Sequence, residues 1–255
     1  CGECEIYEAG YPSRCQRAIE AGEAYVRGAQ AEYLRVPFAD GTLVATPSKP
    51  DPELIPDLLA ASDVLGTGWF AADAAGAGPG KTIAVVGDGA VGLGAVIGAS
   101  QLGAERVIAM SRHEARAKLA REFGATDVVA ERGEEGAAKV KELTGGYGAH
   151  GTAEAVGTEQ AMQQALASTR YGGYVGFVGV HHGGTMSVDQ LFGKEVHLFG
   201  GPAPVRRYLP QLIKLIFERK IHPGKVFDLV LPIEQAAEGY AAMDQRRATK
   251  VMLTF

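Results

Sequence analysis

Residues 82–94, TIAVVGDGAVGLG, constrain this chain more than any other stretch. Ile83 to Val86 form a short, almost wholly apolar run, as a strand buried on both faces of a sheet requires, and Gly87-Asp88-Gly89-Ala90-Val91-Gly92 follows without a spacer. Strand, glycine turn and helix start are therefore contiguous. Gly87 permits the tight turn, Gly89 lets the backbone approach a pyrophosphate, and Gly92 lets the helix pack closely on the strand. The free N–H groups at the helix start, at Ala90 and Val91, then face an anion. A glycine-rich turn by itself is often only a turn. Here both flanks fit, and a second strand, 106–110, begins after a helix of the length a βαβ unit needs. The stretch reads as a dinucleotide-binding turn.

The tip of that second strand bears on which nucleotide is bound. An acidic residue about 20 positions past the turn normally accepts hydrogen bonds from the adenosine ribose, and its charge would repel a 2′-phosphate. Here the place reads Ser111-Arg112-His113. A hydroxyl and a guanidinium suit a phosphate monoester, which offers acceptors to the arginine fork. NADP is therefore expected rather than NAD. The bland alternative makes Arg112 and Arg116 solvated charges at the start of a surface helix, and Glu114 adds a negative charge nearby.

Beyond this point the alternation continues. Residues 115–123, 134–143 and 160–168 read as helices, and 127–130, 149–156, 173–180 and 196–199 as strands, with AHGTAEAV at 149–156 low in β propensity. Six strands alternating with helices make a doubly wound parallel six-stranded sheet, a Rossmann fold. Residues 24–50, punctuated by proline, read as short strands and loops of a small β-rich element, with 31–36 and 43–45 extended. From 52 to 75 the pattern is helical. After residue 206 come a helix, a strand at 227–231, a helix at 233–243 and a last strand at 250–255. The domain boundaries expected are 1–64, 65–206 for the nucleotide-binding domain, and 207–255.

Composition excludes several classes. The chain is 46% hydrophobic and 22% charged, and a formal charge of -5 leaves no footprint for nucleic acid. No apolar run reaches the length of a membrane span and no signal peptide is visible, so no membrane partner and a cytoplasmic location are expected. The three cysteines, Cys1, Cys4 and Cys15, include a C-x2-C pair, a common zinc-knuckle spacing, and Cys15 offers a third thiolate. Structural zinc takes four ligands, and Tyr7 is a poor one because its phenol would have to ionise. Reduced thiols or an adventitious disulfide are the alternatives. Among six histidines, His181-His182 sit where a loop could offer imidazole to a substrate, although adjacent side chains point apart. His113 would border the 2′-phosphate, while His150, His197 and His222 read as surface or packing residues.

These residues resemble the medium-chain dehydrogenase/reductase superfamily, specifically its zinc-dependent alcohol dehydrogenases. CGEC with Cys15 resembles the structural zinc lobe, and QAEYLRVPFAD the central strand of a GroES-like catalytic domain, of which this chain would hold part. SDVLGTGW resembles the segment in which a catalytic zinc ligand is followed four residues later by a threonine that contacts the nicotinamide, implying those roles for Asp63 and Thr67. The resemblance further implies cofactor contacts at Val156, at Val178-Gly179-Val180 and at Phe199, and a basic residue near the pyrophosphate at Lys250. Ser111-Arg112 resembles the NADP-preferring branch. The Cys and His-Glu pair that supply the other catalytic zinc ligands in that family have no counterpart in this sequence, and one carboxylate does not make a catalytic zinc site. The expected function is hydride transfer between NADP(H) and a small alcohol or carbonyl. A shortened NADP-binding relative without dehydrogenase activity and a zinc-free quinone or enone reductase are the alternatives. A homodimer through the sheet edge at 196–199 is expected as well.

Overall fold

A computed structural model of the chain describes residues 1–22 and 29–255. Short helices α1 (Glu5–Glu8), α2 (Gln16–Glu20) and α3 (Ala39–Thr42) precede α4 (Ile55–Ala61) and α5 (Val64–Ala74). Strands and helices then alternate: β1 (Thr82–Val86), α6 (Ala90–Gln101), β2 (Arg106–Met110), α7 (Glu114–Glu122), β3 (Asp127–Val129), α8 (Gly133–Leu143), β4 (Ala149–Glu154), α9 (Glu159–Ser168), β5 (Thr169–Phe177), α10 (Val188–Lys194) and β6 (His197–Gly200). The chain closes with α11 (Val205–Phe217), β7 (Phe227–Pro232), α12 (Ala236–Asp244) and β8 (Lys250–Thr254). It divides into two units, one of residues 67–203 and one of residues 1–66 with 204–255.

In the unit of residues 67–203 the sheet order is β3-β2-β1-β4-β5-β6, every neighbour parallel. This is the doubly wound order. It reverses between β1 and β4, so the loops leaving those two strands diverge and open a crevice at their carboxyl ends. Fully buried Ile83, Ala84 and Val85 place β1 at the centre. Helix α6 is apolar all round because it is covered all round: a Cβ on Gly68 of α5 would lie 2.3 Å from the Ala95 nitrogen, and one on Gly98 would lie 2.9 Å from the Trp69 Cα. Only small residues let the two helix backbones approach so closely.

β4 forms despite its weak propensity, because its position decides its residues. A Cβ on Gly151 would fall 1.8 Å from the Ala75 carbonyl oxygen, and the buried Thr169 hydroxyl donates to that of Thr152 at 2.8 Å. β5 runs from Thr169 to Phe177, earlier than the expected 173–180. The Val178 N–H turns to the Glu154 carbonyl at 2.9 Å, which leaves Val178, Gly179 and Val180 in the loop beyond the strand.

In the other unit, β7 and β8 form a two-stranded parallel sheet with α12 as the crossover. The buried Asp57 carboxylate accepts the Gly224 N–H at 2.6 Å, tying α4 to the turn before β7. Where a small β-rich element was expected at 24–50, the described residues contain no strand; residues 24–28 lie outside those described. Residues 31–36 and 43–45 are irregular and Tyr33 is 91% exposed. A strand persists only where a neighbouring strand takes up its N–H and C=O groups, and among the described residues no strand pairs with either segment. Among the described residues no helix is long and apolar enough to cross a membrane.

Candidate functional site

The glycine turn sits at the reversal of sheet order. Gly87 has φ 117° and a Cβ there would lie 2.9 Å from Val156 Cγ2, while a Cβ on Gly92 would lie 1.9 Å from the Gly87 carbonyl oxygen. Gly87 and Gly92 are thus demanded by the fold. Gly89 differs. It is the N-cap of α6, no side chain caps that helix end, and a Cβ on Gly89 would meet nothing within 4 Å. The N–H groups at the start of a helix have no intrahelical partner, so Ala90, Val91 and Gly92 present donors and the positive end of a helix dipole beside open space. That cradle fits a diphosphate.

At the tip of β2 the structure adds a residue that the sequence reading passed over. Ser111, 4% exposed, donates its hydroxyl to Asp88 Oδ2 at 2.8 Å, and Arg116 Nη1 donates to Asp88 Oδ1 at 3.2 Å. The serine hydroxyl is therefore spent on a carboxylate, and Arg116 is an ion-pair partner rather than a solvated charge. Arg112 remains exposed at the strand tip. The signal for Asp88 was its place inside the glycine motif, where a carboxylate must either find a cation or repel the anion the turn would hold.

The loops after β4 and β5 close on each other beside this turn. Val156 is 41% exposed next to Gly87, and a Cβ on Gly157 would lie 2.0 Å from the Val180 carbonyl oxygen. Glu154, 1% exposed, holds the first loop from below: its Oε1 accepts the Val156 and Gly157 N–H groups, each at 2.8 Å, while Oε2 is buried without a hydrogen bond. It is a second residue at the candidate site that the sequence does not reveal, because nothing local marks an acid at a strand end as buried. Val178, Gly179 and the exposed Val180 line the second loop. Phe199 lies on β6, its ring edge-on to Phe70 at 5.6 Å. Thr67, half-buried on α5, precedes the Gly68 whose Cα abuts the Val91 carbonyl in the first turn of α6.

The three thiols come together. One sulfur each from Cys1, Cys4 and Cys15 lies within 4.8 Å of the others. Burial works against ionisation of Cys15, but the Ala18 backbone, the Cys1 nitrogen at 3.1 Å and Cys4 outweigh it and hold the thiol below its ordinary value. The Tyr7 ring lies 5.7 Å from the Arg206 guanidinium carbon. Asp63 occupies the exposed turn between α4 and α5 and joins no group of three possible metal ligands among the described residues. Lys250 begins β8. Several histidines have structural duties: His150 Nδ1 accepts the Thr82 N–H at 3.1 Å, His197 stacks on Tyr174, and His222 lies 3.5 Å from Asp57. His181 and His182 are exposed.

Comparison with known proteins bears on this geometry. Residues 90–218 match the family model described as zinc-binding dehydrogenase. The chain is 33% identical to zinc-type alcohol dehydrogenase B of Aspergillus flavus, covering 99% of this chain and 60% of the relative. It is 35% identical to a probable zinc-binding alcohol dehydrogenase of Mycobacterium tuberculosis, covering 96% and 63%. An uncharacterized zinc-type alcohol dehydrogenase-like protein of Bacillus subtilis is 32% identical, at 96% and 74%. Among solved structures, the alcohol dehydrogenase of Thermus sp. ATN1 superposes with TM-score 0.87 at 29% identity, over 100% of this chain and 74% of that one. This chain thus spans less than two thirds of the Aspergillus and Mycobacterium relatives.

Proposed function

The chain belongs to the zinc-binding, medium-chain family of alcohol dehydrogenases, and from that membership we propose that it is an oxidoreductase pairing NADP(H) with a small alcohol or carbonyl substrate. The observation that carries this reading is the uncapped start of α6, opening from Gly89 at the reversal of sheet order. When bound, the cofactor supplies or accepts the hydride, and the protein supplies position and electrostatics. The N–H groups of Ala90, Val91 and Gly92 would hold its diphosphate. Arg112 would take the 2′-phosphate, because Arg116 balances the charge of Asp88 and leaves Arg112 as the cation in excess. Val156 and Val178-Gly179-Val180 would wall the nicotinamide from water, with Thr67 and Phe199 orienting it.

Cys1, Cys4 and Cys15 would supply three of the four donors that structural zinc takes, and their sulfurs lie close enough together to share one ion with a further ligand. Asp63 alone does not make a catalytic site, so these residues account for no Lewis-acid step. The alternative reading is a nucleotide-binding protein without dehydrogenase turnover. The exposed edge strand β6, with Phe192 85% exposed on the helix before it, supports a homodimer.

Calorimetry with NADPH and NADH, run beside metal analysis and turnover assays, tests these readings. NADPH heat with zinc-dependent alcohol oxidation supports the first, and heat without turnover the second. Metal-free reduction of quinones or enones would make it a zinc-free reductase. No heat with either nucleotide overturns all three.

A further inference from the structure

We propose that the amino end of the Rossmann sheet, opposite the glycine turn, carries a second small-molecule site, for a phosphate monoester attached to a planar ring. The site is a cavity of about 390 Å³ at the start of β5, lined by Lys141, Arg170, Lys194, Tyr147 and Tyr171 together with Thr169 and Gly146. Its volume is within the range of small-ligand pockets. No part of the dinucleotide reading assigns it a purpose, since the cofactor turn lies at the carboxyl ends of the strands and this cavity at an amino end.

Charge is the first argument. Three cationic side chains line the cavity and no carboxylate does. Lys194 is fixed in place: its Nζ donates to the Leu166 carbonyl at 2.6 Å and to the Thr169 carbonyl at 2.7 Å, leaving one of its three donors. Those bonds also neutralise the C-terminal carbonyls of α9, which would otherwise repel an anion. Burial, and then the charge of Lys141, press Lys194 below its ordinary pKa, and an anion in the cavity would favour its charged form. Arg170 is half-buried with its Nε lacking any acceptor.

The rings are the second argument. Tyr147 and Tyr171 stand 78% and 72% exposed, too far out to stabilise a core, and the Lys194 ammonium lies 5.9 Å from the Tyr171 ring centre. Two solvated aromatic rings beside a cluster of cations suit a ligand with a flat face on one side and a doubly charged group on the other.

Titrating the full chain calorimetrically with phenyl phosphate, inorganic phosphate and phenol tests the site. Phenyl phosphate should bind at one site, with inorganic phosphate weaker by about fivefold or more for want of stacking, and phenol should give no heat. Lys141→Glu, at an exposed position on α8, should weaken phenyl phosphate by about tenfold, the size of one charge-assisted bond. Tyr171→Ala should bring phenyl phosphate down to the affinity of inorganic phosphate. Should Lys141→Glu unfold, as judged by its melting temperature, Tyr171→Ala carries the test. Absence of heat with phenyl phosphate, or binding unchanged in these folded variants, overturns the proposal; the second result would put the ligand elsewhere, for instance at the glycine turn.

Discussion

The Ser111 hydroxyl donates a 2.8 Å hydrogen bond to Asp88, joining the tip of β2 to the glycine turn that follows β1, and Arg116 closes the same carboxylate from α7. A negative charge therefore sits inside the turn that would bind a diphosphate, held quiet by one cation. Replacing it should shift cofactor choice. Asp88→Asn keeps an acceptor for Ser111 and releases Arg116, so NADPH should tighten relative to NADH by about 1 kcal/mol, or some fivefold. Calorimetric affinities for both nucleotides decide this, and an unchanged ratio would show that Arg116 stays out of reach.

Arg112→Asp should weaken NADPH and spare NADH, because only the former places a phosphate at the strand tip. Equal loss of both nucleotides would refute the phosphate role of Arg112.

The two kinds of glycine in the turn should separate folding from binding. A Cβ on Gly92 meets the Gly87 carbonyl oxygen, so Gly92→Ala should cost about 1–3 kcal/mol of stability in thermal or urea unfolding. A Cβ on Gly89 meets nothing, so Gly89→Ala should melt like the parent while losing nucleotide affinity. A Gly89→Ala protein that binds NADPH undiminished would remove the diphosphate from this helix end.

Asp127 sets a pH dependence. Burial pushes its carboxyl up, but bonds from Thr126 and Arg106 and the charges of Arg106 and Arg121 outweigh it and hold the pKa below the ordinary value. The folded state thus binds the proton less readily than the unfolded chain, so the stabilisation is complete above the unfolded value of about 3.9 and fades as pH falls through the lower folded value. Asp127→Asn should remove about 1 kcal/mol at neutral pH and flatten the melting temperature below about pH 4. A mutant whose acid profile parallels the parent would assign the dependence to other groups.

β6 ends the sheet, its Phe199 is 46% exposed, and Phe192 on α10 is more exposed still. Light scattering at micromolar concentration should give the mass of a dimer, and Phe192→Glu should reduce it to a monomer. A parent that runs only as a monomer contradicts the pairing.

The fold was legible where its cause is local. The apolar run at Ile83 to Val86, the glycines after it and the alternation of strands and helices mark a doubly wound sheet, because strand burial, positive φ and helix packing are properties of a few adjacent residues. The irregular backbone at 31–36 was not legible for the opposite reason: an extended, β-prone sequence becomes a strand only beside a partner strand, and among the described residues none pairs with it. Asp88 could be seen in the motif but its meaning could not, since Ser111 and Arg116 reach it from beyond an intervening helix and strand.

Sequence alone therefore determined the glycine turn between β1 and α6 and the alternation of strands and helices around it, through short-range sterics and hydrophobic burial. Tertiary structure decided which charges neutralise one another and that Lys141, Arg170 and Lys194 share one cavity. Those are contacts between residues distant in the chain, and only the closed fold fixes the distances over which charge and hydrogen bonding act.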